Sequence, residues 1–373
     1  MADQRLENLA RLLVQYSIDV KPGDRVAIRC YGSLAAALPA QACILKEVLR
    51  AGGHPYPVVL PGLTDEFDYF LFSEGQDAQL SRPNPFYEMI AKDFECDIYL
   101  LSETNTRRLS NVDSSREAML RRAHSDLFKL WMERASKGSL RWVICAVPTL
   151  GYAQDAEMSI AEFEDFVYST TRADAKDPVA EWKAIGASQQ RLVDWLAGKK
   201  AVTVKGSNVD LSFSIDGRSF VSCDGRLNMP DGEIFTGPVE DSVNGWLHST
   251  YPAIAGGKEV RDPLLRFENG VVVHAEAKSH QEHLTQMIDT DAGARRLGEF
   301  GIGTNEMITT FTKNMLFDEK IGGTIHIALG HGYAETGSHN ESAIHWDFLC
   351  DMKDGGQIIV DGELFYDSGG FLV

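Results

Sequence analysis

The chain has 373 residues, 44% of them hydrophobic and 24% charged. Those proportions belong to a globular protein and exclude a disordered or repeat architecture, and the length favours two domains. A formal charge of −18 with a pI near 5.0 excludes the basic patch that nucleic acid needs. Such a field favours cationic ligands, such as a free peptide amino terminus, although solubility alone also accounts for it.

In chain order, the opening segment Met-Ala-Asp-Gln-Arg carries charge where a secretory leader needs an apolar core. Leu6, Leu9, Leu12, Leu13 and Tyr16 then recur at helical spacing. Lys21-Pro-Gly-Asp24 is a turn, followed by a strand over Arg25–Cys30. The Ala- and Leu-rich stretch Leu34–Ala51 reads as a helix closed by Gly52-Gly53, and His54–Leu60 as a strand. Asp97–Leu101 and Arg141–Val147 are short apolar runs of buried-strand type, separated by a helix over Ser114–Lys137. Strands alternating with helices predict an N-terminal α/β domain with a mainly parallel sheet. No Gly-x-Gly-x-x-Gly or phosphate-binding loop follows these strands, so no nucleotide cofactor is expected.

Val179–Leu196 reads as a helix. Beyond residue 200 the apolar period changes to two, over Val202, Val204, Val209, Leu211, Phe213 and Ile215. The domain boundary is therefore drawn there, giving domains 1–200 and 201–373. Glu268-Asn-Gly270 marks a hairpin between Leu264–Phe267 and Val271–His274. A helix is predicted over His283–Leu297. Thr324–Leu329, Ile344–Leu349 and Gln357–Tyr366 complete a strand-rich α+β C-terminal domain. The six cysteines are scattered, with no Cys-x-x-Cys pair, which points to a reducing compartment and against a cysteine-built zinc site. No apolar run approaches the roughly 20 residues that span a bilayer. The expected location is cytoplasmic.

The chemistry-bearing residues lie in the C-terminal half. His345 and Asp347 form a His-x-Asp pair, which on a strand faces one way and can grip one ion. His326 sits in the apolar segment Gly323-Thr-Ile-His-Ile-Ala-Leu-Gly330, with Tyr333 seven residues on. Glu299 is flanked by glycines, and Glu233 follows Pro-Asp-Gly, where a turn-exposed carboxylate is the ordinary reading. Singly, each has a bland explanation: a core histidine, a packed tyrosine, a surface pair. Together they form an imidazole and carboxylate set embedded in low-charge segments, the ligand chemistry of hydrolytic metal sites. Three acids and two histidines suffice for two metal ions about 3.5–4 Å apart. His331 and His339, in the Gly- and Ser-rich loop before His345, are candidates for orienting substrate, or simply solvated.

The blocks Asn228–Pro238, Leu297–Gly303, Leu316–Gly330 and Ile344–Phe348, with the opening Leu9–Ser17 and Lys21–Asp24, resemble the thermophilic metallo-aminopeptidase family over essentially the whole chain. The resemblance implies a homodimeric enzyme with two divalent metal ions per chain (Zn, Co, Mn or Mg). It implies hydrolysis of the N-terminal residue from short peptides through a dinuclear site and a metal-activated water. It implies Glu233, Glu299, His326, Tyr333, His345 and Asp347 as metal ligands, with Glu299 bridging both ions. Tyr333 is also a candidate oxyanion donor, and Glu319 a general-base candidate with a plain strand-cap carboxylate as the alternative. The rival reading is a mononuclear Fe(II) ring-cleaving dioxygenase using His326, His345 and Asp347. Retention of Glu233 and Glu299 favours two hard divalent ions.

Overall fold

The structure is a computed structural model, and it describes residues 3–58 and 67–373. The chain forms two compact units: Met1–Lys183 with Gly225–Pro230, and Ala184–Asp224 with Asp231–Val373. The fold class is α/β, with a parallel sheet and helices in the first unit and antiparallel, strand-rich sheets in the second. Among the described residues no helix is long and apolar enough to cross a membrane.

In the first unit, Asp3 caps the helix Gln4–Leu12 through its side chain, and the helix runs on as a wider turn over Leu13–Ser17. Its stripe of Leu9, Leu12, Leu13 and Tyr16 is buried, as the spacing predicts. The sheet is parallel throughout, in the order His54–Val58, Arg25–Gly32, Cys96–Ser102, Arg141–Ala146, Asn228–Met229. The first of these strands was expected to reach Leu60, which lies outside the described residues. The helix Leu34–Arg50 is the crossover between two of them, capped by Ser33 and followed by Gly52 in the left-handed region. The helix Ser114–Ser136 lies between the Cys96–Ser102 and Arg141–Ala146 strands in the chain.

The second unit is built on two large antiparallel sheets, with a small two-stranded one formed by Ala253–Ala255 and Lys258–Val260. An eight-stranded sheet contains the hairpin Ala201–Gly206 and Val209–Ser214, where the period-two pattern begins. The Asn269-Gly270 turn has positive φ at both residues, as a two-residue hairpin requires. A five-stranded sheet runs His345–Asp351, Thr324–Gly330, Leu297–Gly303, Glu233–Thr236, Val221–Cys223. One core cluster joins residues of both sheets, including Phe213, Leu211, Phe300, Ile302, Ile327 and Phe348.

Three expectations are corrected. The helix predicted over His283–Leu297 is Gln281–Ile288, and Leu297 opens a strand, Leu297–Gly303. Glu233 is not a turn-exposed carboxylate: it begins the strand Glu233–Thr236 and is buried. Gln357–Tyr366 is two strands, Gln357–Val360 and Glu363–Asp367, because Asp361-Gly362 both take positive φ and turn the chain.

Phe300 separates the site-bearing face of its strand from the core, fully buried with its ring 4.9 Å from that of Phe213. Phe300→Ala is expected to destabilise the second unit by about 3–5 kcal/mol. Val273→Ala, at an exposed position, is expected to stay within about 0.5 kcal/mol. Denaturant titration of both variants measures the difference.

Candidate metal centre

Side chains alternate faces along a strand, so the five-stranded sheet divides its residues cleanly. Ile234, Phe300, Ile302, Ile325, Ile327, Leu329, Trp346 and Phe348 pack into the core cluster. The intervening positions are Glu233, Glu299, Gly301, His326, Ala328, His345 and Asp347. Strand register brings them side by side: Gly303 pairs with Glu233, Gly301 with His326, Ala328 with Asp347, and Gly330 with His345. Glycine at 301 is a steric necessity. A Cβ there would lie 2.1 Å from His326 Nε2 and Cε1, so the imidazole can lie across the neighbouring strand only because no side chain stands in its way.

His326 Nε2 lies 3.0 Å from Glu299 Oε1 and 3.1 Å from Glu233 Oε2. The other oxygen of Glu299, Oε2, faces His345 Nε2 at 3.7 Å, and Asp347 Oδ1 lies 3.8 Å from that same nitrogen. One carboxylate thus turns one oxygen to each imidazole. His345 is fixed from behind, since its Nδ1 lies 2.9 Å from the His331 carbonyl. A carbonyl only accepts, so Nδ1 carries the proton and Nε2 presents its lone pair to the cluster. Three buried atoms here have no hydrogen-bond partner: Glu233 Oε2, Asp347 Oδ1 and His326 Nδ1. The contact from His326 to Glu233 is close but lacks hydrogen-bonding alignment, because the single Nε2 proton points to Glu299. Buried carboxylate oxygens left without donors are costly, and a cation offsets that cost. Ligand atoms of Glu233, Glu299 and His326 all lie within 4.8 Å of one another. This donor set fits a divalent metal.

Tyr333 follows the Thr324–Gly330 strand, its ring centroid 5.2 Å from that of His345 and 5.5 Å from that of Phe235. Burial and the surrounding acids Glu299, Glu319, Asp347 and Glu233 push its hydroxyl well above the usual tyrosine range, so it stays protonated. Glu319 belongs to the same cluster. Burial raises its carboxyl to about 8, Lys320 partly offsets this, and Glu233 and Asp347 add to it. Glu233 is held well below the usual range: burial opposes ionisation, but Lys320 and His326 outweigh it. Burial raises the Glu299 carboxyl, with His326 countering in part. Burial disfavours the charge on His326 and on His345, yet the facing carboxylates raise both above the ordinary histidine value. His331 and His339 are exposed; His331 contributes its carbonyl, and its ring lies 6.2 Å from that of Tyr333.

Sequence reasoning missed two members. Lys320 is fully buried, contacts Glu319 Oε1, and sits 3.6 Å from Glu233 Oε1. Asp231 is buried beside Glu233 and Cys223. The available signal was the run Asp318-Glu319-Lys320 inside an otherwise apolar segment, which reads more readily as a charged turn.

A buried cluster of carboxylates and imidazoles on a sheet is the donor chemistry that metal-dependent hydrolases use. Residues 2–369 match the family described as thermophilic metalloprotease (M29). The chain belongs to that family and is an enzyme of the metallo-aminopeptidase class. Aminopeptidase T of Thermus aquaticus is 29% identical, over 97% of this chain and 95% of that protein. Aminopeptidase T of Thermus thermophilus is 26% identical, over 98% of this chain and 96% of that protein. Aminopeptidase 2 of Geobacillus stearothermophilus is also 26% identical, over 94% and 93%. The solved structure of wild-type AmpT from Thermus thermophilus superimposes with a TM-score of 0.84, covering 99% of each chain at 23% identity. The dioxygenase reading finds no support in these relatives.

Gly301→Ala isolates the cradle. The added methyl group is expected to push the His326 ring aside and to weaken divalent-metal binding by at least about tenfold, the equivalent of about 1.4 kcal/mol. Calorimetric metal titration measures it, with circular dichroism to establish that the strand still forms.

Proposed function

We propose that the chain removes the N-terminal residue from short peptides, using two divalent ions (Zn, Co, Mn or Mg) held by Glu233, Glu299, His326, Tyr333, His345 and Asp347. The observation that carries this reading is the split of Glu299, one oxygen toward His326 and the other toward His345. In this reading Glu299 bridges, Glu233 and His326 serve one ion, and His345 and Asp347 serve the other. Two ions bound there would polarise the scissile carbonyl and lower the pKa of the attacking water.

The protein's own groups divide the remaining work. The acid-rich cluster attracts the substrate's free ammonium and so selects an N-terminus. Glu319, its carboxylate against the Lys320 ammonium, is the candidate to take a proton from water and return it to the leaving amine. Tyr333, protonated at the rim, donates to the oxygen that gains charge. The His331 carbonyl keeps the His345 ring oriented. We propose with this a homodimer and a cytoplasmic location, the latter resting on six cysteines that form no disulfide.

Chelation is expected to abolish cleavage of aminoacyl chromogenic substrates, and add-back of one of the four metals to restore it; full activity in protein shown to be free of metal would overturn the reading. N-acetylated peptides are expected to be poor substrates, and their rapid cleavage would indicate an endopeptidase instead. Glu299→Ala is expected to lower bound metal toward zero, because both ions lose a ligand, whereas Asp347→Ala keeps roughly one ion per chain. Tyr333→Phe is expected to keep more metal than either and to lose about 10²–10³ in kcat. Metal analysis of the dialysed variants, beside steady-state kinetics, separates these roles.

A further inference from the structure

Lys320 has no part in the chemistry above. Its side chain is fully buried, and its ammonium touches Glu319 Oε1 and lies 3.6 Å from Glu233 Oε1. Glu233 also belongs to a second potential ligand group: one atom each from Cys223 Sγ, Asp231 and Glu233 lie within 4.8 Å of one another. Lys320 is within electrostatic reach of both Asp231 and Cys223. A thiol and two carboxylates are borderline-soft metal chemistry, of the kind that zinc and cadmium accept. That side of the centre already has a cation, supplied by the chain itself.

We infer that Lys320 is a built-in cation: its ammonium takes the place of a metal ion on the Cys223–Asp231–Glu233 side of the centre and confines divalent metal to the Glu299 side. This rests on the metal reading proposed above. Five carboxylates meet here, the buried Asp231, Glu233, Glu299 and Asp347 and the half-buried Glu319. Two divalent ions and one ammonium carry five positive charges, enough to match all five carboxylates in their ionised form when both imidazoles are neutral ligands. Buried charges are tolerated only when compensated in this way. Lys320 also divides the oxygens of Glu233. Oε1 faces the ammonium, and Oε2 is left toward His326. Lys320 is thus a positioning residue, acting through Glu233, and it sets how many metal ions the centre takes.

The test compares the full-length wild type with Lys320→Ala and Lys320→Arg, each stripped by chelator, reloaded with zinc, dialysed, and analysed for metal and for folding by circular dichroism. Lys320→Ala, which removes the cation and opens room, is expected to bind one more zinc per chain than wild type. Cadmium titration of that variant is expected to give a thiolate-to-cadmium absorption band that wild type lacks and that Cys223→Ser removes. Lys320→Arg, which keeps the charge, is expected to match the wild-type count. A folded Lys320→Ala with the wild-type count or fewer overturns the inference, as does an extra ion in Lys320→Arg. If Lys320→Ala is unfolded after stripping, recovery of its fold on adding zinc supports a cation-replacing role, and failure to recover rejects it. A wild type that binds no divalent ion defeats the functional reading itself, whatever the variants do.

Discussion

Buried carboxylates of like charge share one small volume, and the rest of the second unit is arranged around that repulsion. Glu233 and Glu299 both approach a single imidazole nitrogen of His326. Water cannot screen them there, so the charges must be met by protein cations, protons or metal. Lys320 is the cation the chain provides, and His326 and His345 are imidazoles that can take up a proton or hold a metal. The strands supply the rigidity that keeps the acids from swinging apart. The cluster lies across four adjacent strands, each anchored on its opposite face by Ile234, Phe300, Ile327 or Phe348. Packing on one face therefore sets the charge geometry on the other, at a precision that loops rarely hold.

Much of this arrangement was readable from residues alone, for identifiable reasons. The parallel unit declares itself through contiguous apolar runs between helices, and the Asn269-Gly270 hairpin through the one dipeptide best suited to two positive φ angles. The chemistry-bearing side chains stood out because histidines and acids interrupt apolar, glycine-rich sequence. The strand Leu297–Gly303 was not readable. Four of its seven residues are Gly298, Glu299, Gly301 and Gly303, which have little strand preference, and the preceding helical pattern carries through to Leu297. Those glycines serve close approach, which is a property of the neighbours and not of the segment itself. Lys320 was hidden for a related reason. A lysine beside two acids in sequence looks solvated, and only the fold reveals that Glu233, distant in the chain, shares its charge.

The cluster also explains why the two glutamates are not equivalent. Glu233 is pinned between an ammonium and an imidazole and is held ionised, while burial raises the Glu299 carboxyl with only His326 and His345 to counter it. A pair of identical side chains is thereby differentiated by what lies behind each one. The same logic separates the imidazoles: His326 is flanked by two acids and wholly buried, whereas His345 stands at the exposed first residue of its strand with a backbone carbonyl behind it.

The segment from His331 to Asn340 joins the Tyr333 hydroxyl to the orientation of His345. Gly332 donates to the Asn340 carbonyl, and Asn340 donates back to the Gly330 carbonyl at the end of the strand, so the loop is drawn closed at its neck. His331 N donates to the Ile344 carbonyl while its own carbonyl holds the His345 ring. Tyr333 lies two residues from that tether. The neck is thus one support for two groups: the His331 carbonyl steadies the His345 imidazole, and Tyr333 leaves the same neck two residues on. Tyr333 sits inside that closed loop, where Thr336 N and Oγ1 both donate to its carbonyl, so substitutions between Ala334 and His339 reach the phenol first, whereas His345 is tied to the neck itself.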